Sequence, residues 1–262
     1  MIDLSVVSPA VKADIPNRDE LERKIARLLG KYNRQELAKL LELMKNHPTL
    51  ANVPPEFWNE SQRELVKVLM PFSELVYLQA AERFLETVSP IGVDWAIANT
   101  AAADWARSYL TLLAGQINQT SRGAVTTSIR NSIASFFEEG LTIGELEQRL
   151  IDDPNLRELF TRDVRDRLGR IYGPNRASLI ARTEVTRASV EGERAMAREL
   201  KKEGIDMIEV WETRNDELVC PICGPRHGKK EGDGWTKDDG PPAHPRCRCA
   251  VGHELSPVLT AQ

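Results

Sequence analysis

Long apolar runs, a basic leader and thiols outside one short window are all missing from this 262-residue chain. No stretch approaches the roughly 20 apolar residues a helix needs to cross a bilayer, so no membrane role is expected. The N-terminus has no basic segment followed by an apolar block, so no secretory signal is expected and synthesis is placed in the cytoplasm. A hydrophobic fraction of 41% beside 28% charged residues excludes a disordered chain. Repeats, low-complexity tracts and Gly/Ser linkers are also lacking. The net charge of −4 argues against wholesale coating of nucleic acid.

What is present is concentrated. All four cysteines lie between Cys220 and Cys249. Cys220-Pro221-Ile222-Cys223 is followed by His244-Pro245-Arg246-Cys247-Arg248-Cys249. In a reducing compartment, thiols clustered with a histidine favour a metal over disulfides. A tight Cys-x-x-Cys turn presents two thiolates with backbone N–H groups aimed at sulfur. His244 and Cys247 form a second knuckle, and Cys249 reaches the same place if its segment is extended. Five candidates, Cys220, Cys223, His244, Cys247 and Cys249, compete for four tetrahedral positions. The expected set is Cys220, Cys223 and His244 with one of Cys247 or Cys249, holding a structural Zn²⁺. His227 and His253 are set aside.

Upstream, the apolar period is helical. Leu21, Ile25, Leu28 and Leu29 precede Gly30, and Asn33 with Glu36 has capping-box spacing, which predicts an antiparallel helix pair ended by His47-Pro48. Pro54-Pro55 opens a further helix that Pro71 should kink or split. Ser89-Pro90-Ile91-Gly92 is a break. Trp95, Ala98, Ala102, Trp105, Tyr109, Leu112 and Leu113 share one helical face. A polar stretch, Gly115 to Gly123, separates it from a helix carrying Val125, Ile129, Ile133, Phe136 and Phe137 and closed by Gly140. Thr142 and Glu145 cap a short helix, Asp152-Asp153-Pro154 turns, and 155–172 is an Arg-rich helix.

Residues 174–203 read as one long helix stopped by Gly204. Arg176, Arg187, Arg194 and Arg198, interleaved with Glu184 and Glu191, form its expected outer ladder of ion pairs. Arg182 falls on the apolar side with Thr186, Ser189 and Glu193, so it needs a partner: Glu193, Asp216 or carbonyls of the metal loop. Arg182, Glu184 and Asp216 are therefore expected to clamp helix to loop. Met207 to Thr213 is a strand, turned at Asn215-Asp216. Seven arginines face three acids between Arg162 and Arg187, a local charge of +4. Arg162, Arg165, Arg167 and Arg170, with Arg246 and Arg248 beside the metal, are the candidate DNA contacts.

Catalysis finds little support. A deaminase-type site needs H-x-E before P-C-x-x-C, and neither occurs, since Val219 precedes Cys220. A nuclease would need free histidines beside the metal, and no ββα pattern follows His227 or His253. No enzymatic activity is expected; a metal-supported nuclease or transferase, or a DNA-binding zinc module, is the alternative.

Ala181-Arg182-Thr183-Glu184, Gly192, the strand ending in Trp211, Asp216, Cys220-Pro-Ile-Cys223 and Pro241-Pro242-Ala-His244-Pro245-Arg-Cys247-Arg-Cys249 together resemble the phage Mu F-like head morphogenesis family. The likeness is strong from Ala181 onward and weaker through the helices from about residue 95. It implies a minor head protein of a tailed phage or prophage, held inside the procapsid and the virion head and made in the host cytoplasm. Implied partners are the portal protein, other head or scaffold proteins, and double-stranded DNA. The C-terminal toxin domain carried by some members is not expected. The fold class is mainly α: an extended helical body, then a small α+β C-terminal module with a zinc-stapled loop. The expected divisions are an arm at 1–17, the helical body at 18–172, the module at 173–255 and a tail at 256–262.

Overall fold

The computed structural model describes residues 17–44, 53–87, 95–137 and 143–256. Side chains at 86–87, 95–99, 133, 135–137 and 143–147 are outside that description. So are the arm, the tail beyond Ser256, the His47-Pro48 and Ser89–Gly92 breaks, Gly140 and the Thr142 cap. Among the described residues six helices precede one small sheet: α1 (Arg18–Leu43), α2 (Pro55–Thr87), α3 (Trp95–Phe137), α4 (Ile143–Asp152), α5 (Pro154–Ile171) and α6 (Pro174–Lys202), then β1 (Met207–Glu212) and β2 (Ala250–Leu255). The chain is mainly α with a small C-terminal α+β part, as its patterning predicts; the second strand of its sheet, β2, was not anticipated.

The helices are longer than their punctuation implies. Gly30 sits inside α1, and Asn33 and Glu36 are buried mid-helix residues rather than a cap. A glycine in a helix costs only about 1 kcal/mol. Burial of Leu29, Tyr32 and Leu40 on the same helix outweighs it. The stretch 115–123 likewise continues α3 instead of interrupting it. There Thr120 and Ser121 return their hydroxyls to the carbonyls of Gln116 and Ile117, so their polarity is absorbed within the helix. Pro71 lies within α2, which is assigned as one helix.

The chain divides into two compact units: one takes the chain up to Ile25, Met70–Ser108 and the chain from Ser178; the other takes Ala26–Leu69 and Tyr109–Ala177. The second unit has a conventional apolar core, with Leu40, Trp58, Ile129, Phe160, Val164 and Leu168 among its buried residues. Its last turn is well made. Asp153 caps α5 by accepting from the N–H groups of Asn155 and Leu156, and Arg157 donates to the Leu150 carbonyl at the end of α4.

In the first unit α6 is the organising helix. Its expected outer ladder is in part buried: Glu184 is 7% exposed and the Arg194 side chain 12%, whereas Arg198 is exposed. Small residues explain this, because Ala181, Ala188, Gly192 and Ala195 let other segments approach on several sides. At Gly192 a Cβ would stand 2.3 Å from the Tyr77 carbonyl oxygen of α2, so only glycine fits. Arg194 donates to both carboxylate oxygens of Glu209 on β1, tying helix to strand. Gly204 (φ +87) closes α6 with paired bonds from Gly204 to Lys201 and Ile205 to Leu200. The strands then pair antiparallel, Met207 with Leu255 through Glu212 with Ala250.

Candidate metal centre

Between β1 and β2 the chain runs some 37 residues with no regular element beyond two short 3-10 turns, Gly224–Arg226 and Lys237–Asp239. A loop of this length needs an internal anchor. The Cys220–Cys223 knuckle is closed by bonds from the N–H groups of Cys223 and Gly224 to the Cys220 carbonyl. The Cys223 N–H also points at the Cys220 sulfur, 3.4 Å away. The second knuckle closes through the Cys247 N–H on the His244 carbonyl.

The donor atoms converge in two triads that share Cys223: Cys220, Cys223 and His244, and Cys223, Cys247 and Cys249. His244 Nε2 lies 3.1 Å from the Cys220 sulfur and 3.3 Å from that of Cys223, and the Cys223 and Cys247 sulfurs are 3.9 Å apart. A tetrahedral zinc with its usual bond lengths sets two sulfurs about 3.8 Å apart and a sulfur and nitrogen about 3.6 Å apart. The Cys223–Cys247 edge is close to its value and the two His244 edges are somewhat shorter, so each triad is near the size that could hold a metal ion. Nδ1 of His244 donates to the Pro245 carbonyl at 2.8 Å, which fixes the tautomer that turns the Nε2 lone pair toward the sulfurs.

The sulfurs interact strongly with one another. Hydrogen bonding to Cys247 and Cys249, then burial, drives the Cys223 thiol far above the ordinary range. The same contact with Cys223 lowers Cys247 to about 2. Cys249 is lowered by Cys223 but pushed up to about 12 by Cys247 and burial. Three touching sulfurs thus share protons rather than ionise together. A divalent ion removes that restriction, because thiolate ligation replaces the shared protons.

Two threonines of α6 hold the second knuckle. Thr183 Oγ1 accepts from the Arg246 N–H at 3.0 Å, where Arg246 takes a left-handed φ of +68. One turn on, Thr186 Oγ1 donates to the Cys247 carbonyl at 2.7 Å and accepts from the Arg18 guanidinium. Arg18 is 4% exposed and pairs with Glu22, whose other oxygen meets Arg182 at 3.1 Å. Below the sulfurs lie Trp211, Trp235, Val190 and Val251, with the two indoles edge to face at 5.2 Å.

The predicted clamp residues take different partners. Arg182 meets Glu22 of α1, not Glu193 or Asp216, and its side chain is 41% exposed. Glu184 is buried, with Arg187 at 3.9 Å. Asp216 forms a two-pronged pair with Arg248 at 2.7 and 2.8 Å, joining the entrance of the first knuckle to the second. Of the candidate DNA contacts, Arg167 pairs with Asp163 and Arg248 with Asp216, whereas Arg162, Arg165, Arg170 and Arg246 are exposed. His227 accepts from the Thr213 N–H through Nδ1, and His253 lies buried on β2. The supporting roles of Arg18, Glu22, Thr183 and Thr186 were missed from sequence. The one signal was the polar stripe containing Thr186.

Residues 127–252 match the family described as Phage Mu protein F like protein, the family that the motifs resemble. The matched span runs from within α3 into β2 and contains all five donors. No curated protein and no solved structure matches the chain significantly.

Proposed function

We propose that this chain, matched over 127–252 to the phage Mu protein F like family, is a minor head protein of a tailed phage or prophage. It acts in head morphogenesis as a non-enzymatic component of the virion and docks on the portal inside the procapsid. Its metal is a structural Zn²⁺ held by Cys220, Cys223, His244 and Cys247, with Cys249 as the neighbouring thiol. The observation that carries this reading is a pair of donor triads that share Cys223 inside the family-matched span. Four protein ligands fill a tetrahedral ion and leave no position for water or substrate. The metal then closes the 213–249 loop on α6 and supplies folding energy, while Thr183, Thr186 and the Asp216–Arg248 pair hold the knuckles in register.

The assignment is tested by protein mass spectrometry on purified particles and by co-purification of the tagged chain with the portal protein. Presence in particles at a fixed copy ratio, with portal capture, is expected. Particles that lack the chain yet infect normally would overturn it. A second reading, contact with packaged DNA, rests on the exposed Arg162, Arg165 and Arg170 of α5. Binding to duplex DNA should then weaken steeply with salt, and removing one phosphate-contacting arginine should reduce the slope by about 1.

A further inference from the structure

His253 is 1% exposed, and among the described residues neither ring nitrogen has a hydrogen-bond partner. Its ring packs edge-on against Phe84 with centroids 4.9 Å apart, which holds it in place without satisfying it. A buried polar group left in this state is costly and usually marks water, an ion or a ligand. His253 stands apart from both sulfur triads.

It lines a cavity of about 700 Å³ between α6, β1 and the 231–237 loop. That volume is in the range of small-molecule sites. Four cations line it, Arg194, Arg198, Lys201 and Lys237, against three carboxylates, Asp206, Glu209 and Glu231, which leaves one positive charge in excess. Arg194 and Lys237 are engaged by Glu209, and Lys201 by Asp206. Arg198 meets no carboxylate among the described residues. Ala197 and Met207 supply apolar wall.

We propose that this cavity binds a small organic oxyanion, a carboxylate or phosphate ester, with its charge on Arg198 and one oxygen taking the N–H of His253. The body of the ligand lies against Ala197 and Met207, and a ligand hydroxyl or a water serves the second ring nitrogen. A bare inorganic ion would leave most of the cavity unfilled. This site shares no residue with the metal donors and does not rest on the head assignment.

The test uses the zinc-loaded full chain labelled with ¹⁵N and follows the His253 ring nitrogens while inorganic phosphate, phenyl phosphate or phenylacetate is added. A saturable shift is expected, with at least one organic anion binding about ten-fold or more tighter than inorganic phosphate. Comparing the two organic probes tells phosphate ester from carboxylate. Arg198→Gln, at an exposed position, should weaken binding about ten-fold with no change in Tm. His253→Phe, which keeps the ring packing, should remove it. No saturable shift with any probe would mean an ordered water only and would overturn the proposal. So would inorganic phosphate binding as tightly as both organic anions, or unchanged affinity in Arg198→Gln.

Discussion

The second unit and the 213–249 loop are both buried at their centres, but they are held by different forces. The second unit packs Phe160, Leu168, Trp58 and their neighbours from helices with caps and apolar stripes of their own. Each such side chain contributes about 1.5–3 kcal/mol on burial. In the loop, cysteines occupy the places that aliphatic side chains take in the helical core: Cys223, Cys247 and Cys249 pack with Trp211 and Trp235. On the proposal that these donors hold one zinc, such a core depends on that ion. The difference predicts separable failure.

The largest expected effect is removal of the metal. Stripping zinc with a strong chelator, or Cys223→Ser, withdraws a contribution of about 10–16 kcal/mol by the usual range for structural zinc. Amide-exchange protection across 207–255 should collapse, while protection in α5 stays. Uniform loss or uniform retention would break the contrast. The converse variant, Phe160→Ala, should cost about 3–5 kcal/mol and loosen α5 without changing the zinc content measured by elemental analysis.

Gly192→Ala comes next. Its Cβ would be driven into the Tyr77 carbonyl, and α2 and α6 must separate, at about 1–3 kcal/mol or more. Lower Tm with normal zinc content is the outcome that fits. The smallest effect is at Glu193, 3% exposed, whose carboxyl is raised well above its usual range by burial and then by Glu212, with Glu209 adding to this and Ser189 and Arg83 opposing it. Because the folded state holds this proton more tightly than the unfolded chain, stability falls as pH rises from about 4.3 toward the folded value. Glu193→Gln should therefore raise Tm by a few degrees at neutral pH and flatten its pH dependence. A lower Tm there would show that the carboxylate is needed.

Much of this was legible in advance, and the failures share a cause. The donors were readable because ligand spacing is local: Cys-x-x-Cys and His-x-x-Cys fix geometry within four residues. Gly204 was readable for the same reason, since caps act over one turn, whereas Asp153, read as part of a turn, is the cap of α5. Gly30, Asn33 and the 115–123 stretch misled because their meaning depends on burial, and tertiary packing overrides a penalty of about 1 kcal/mol. The partner of Arg182 was unreadable, since Glu22 lies 160 residues away in sequence. Strand β2 also escaped: Ala250 to Leu255 is short, carries Gly252 mid-strand, and pairs with β1 across the whole metal loop. Its existence depends on that loop being closed.

The most direct test of the central claim, that one zinc-filled donor set closes this loop, is X-ray absorption at the zinc edge on purified protein of measured metal content. One zinc per chain with three sulfur ligands at about 2.3 Å and one nitrogen at about 2.0 Å is the predicted result. A folded chain without zinc, or a zinc carrying an oxygen ligand in place of a sulfur, would contradict it.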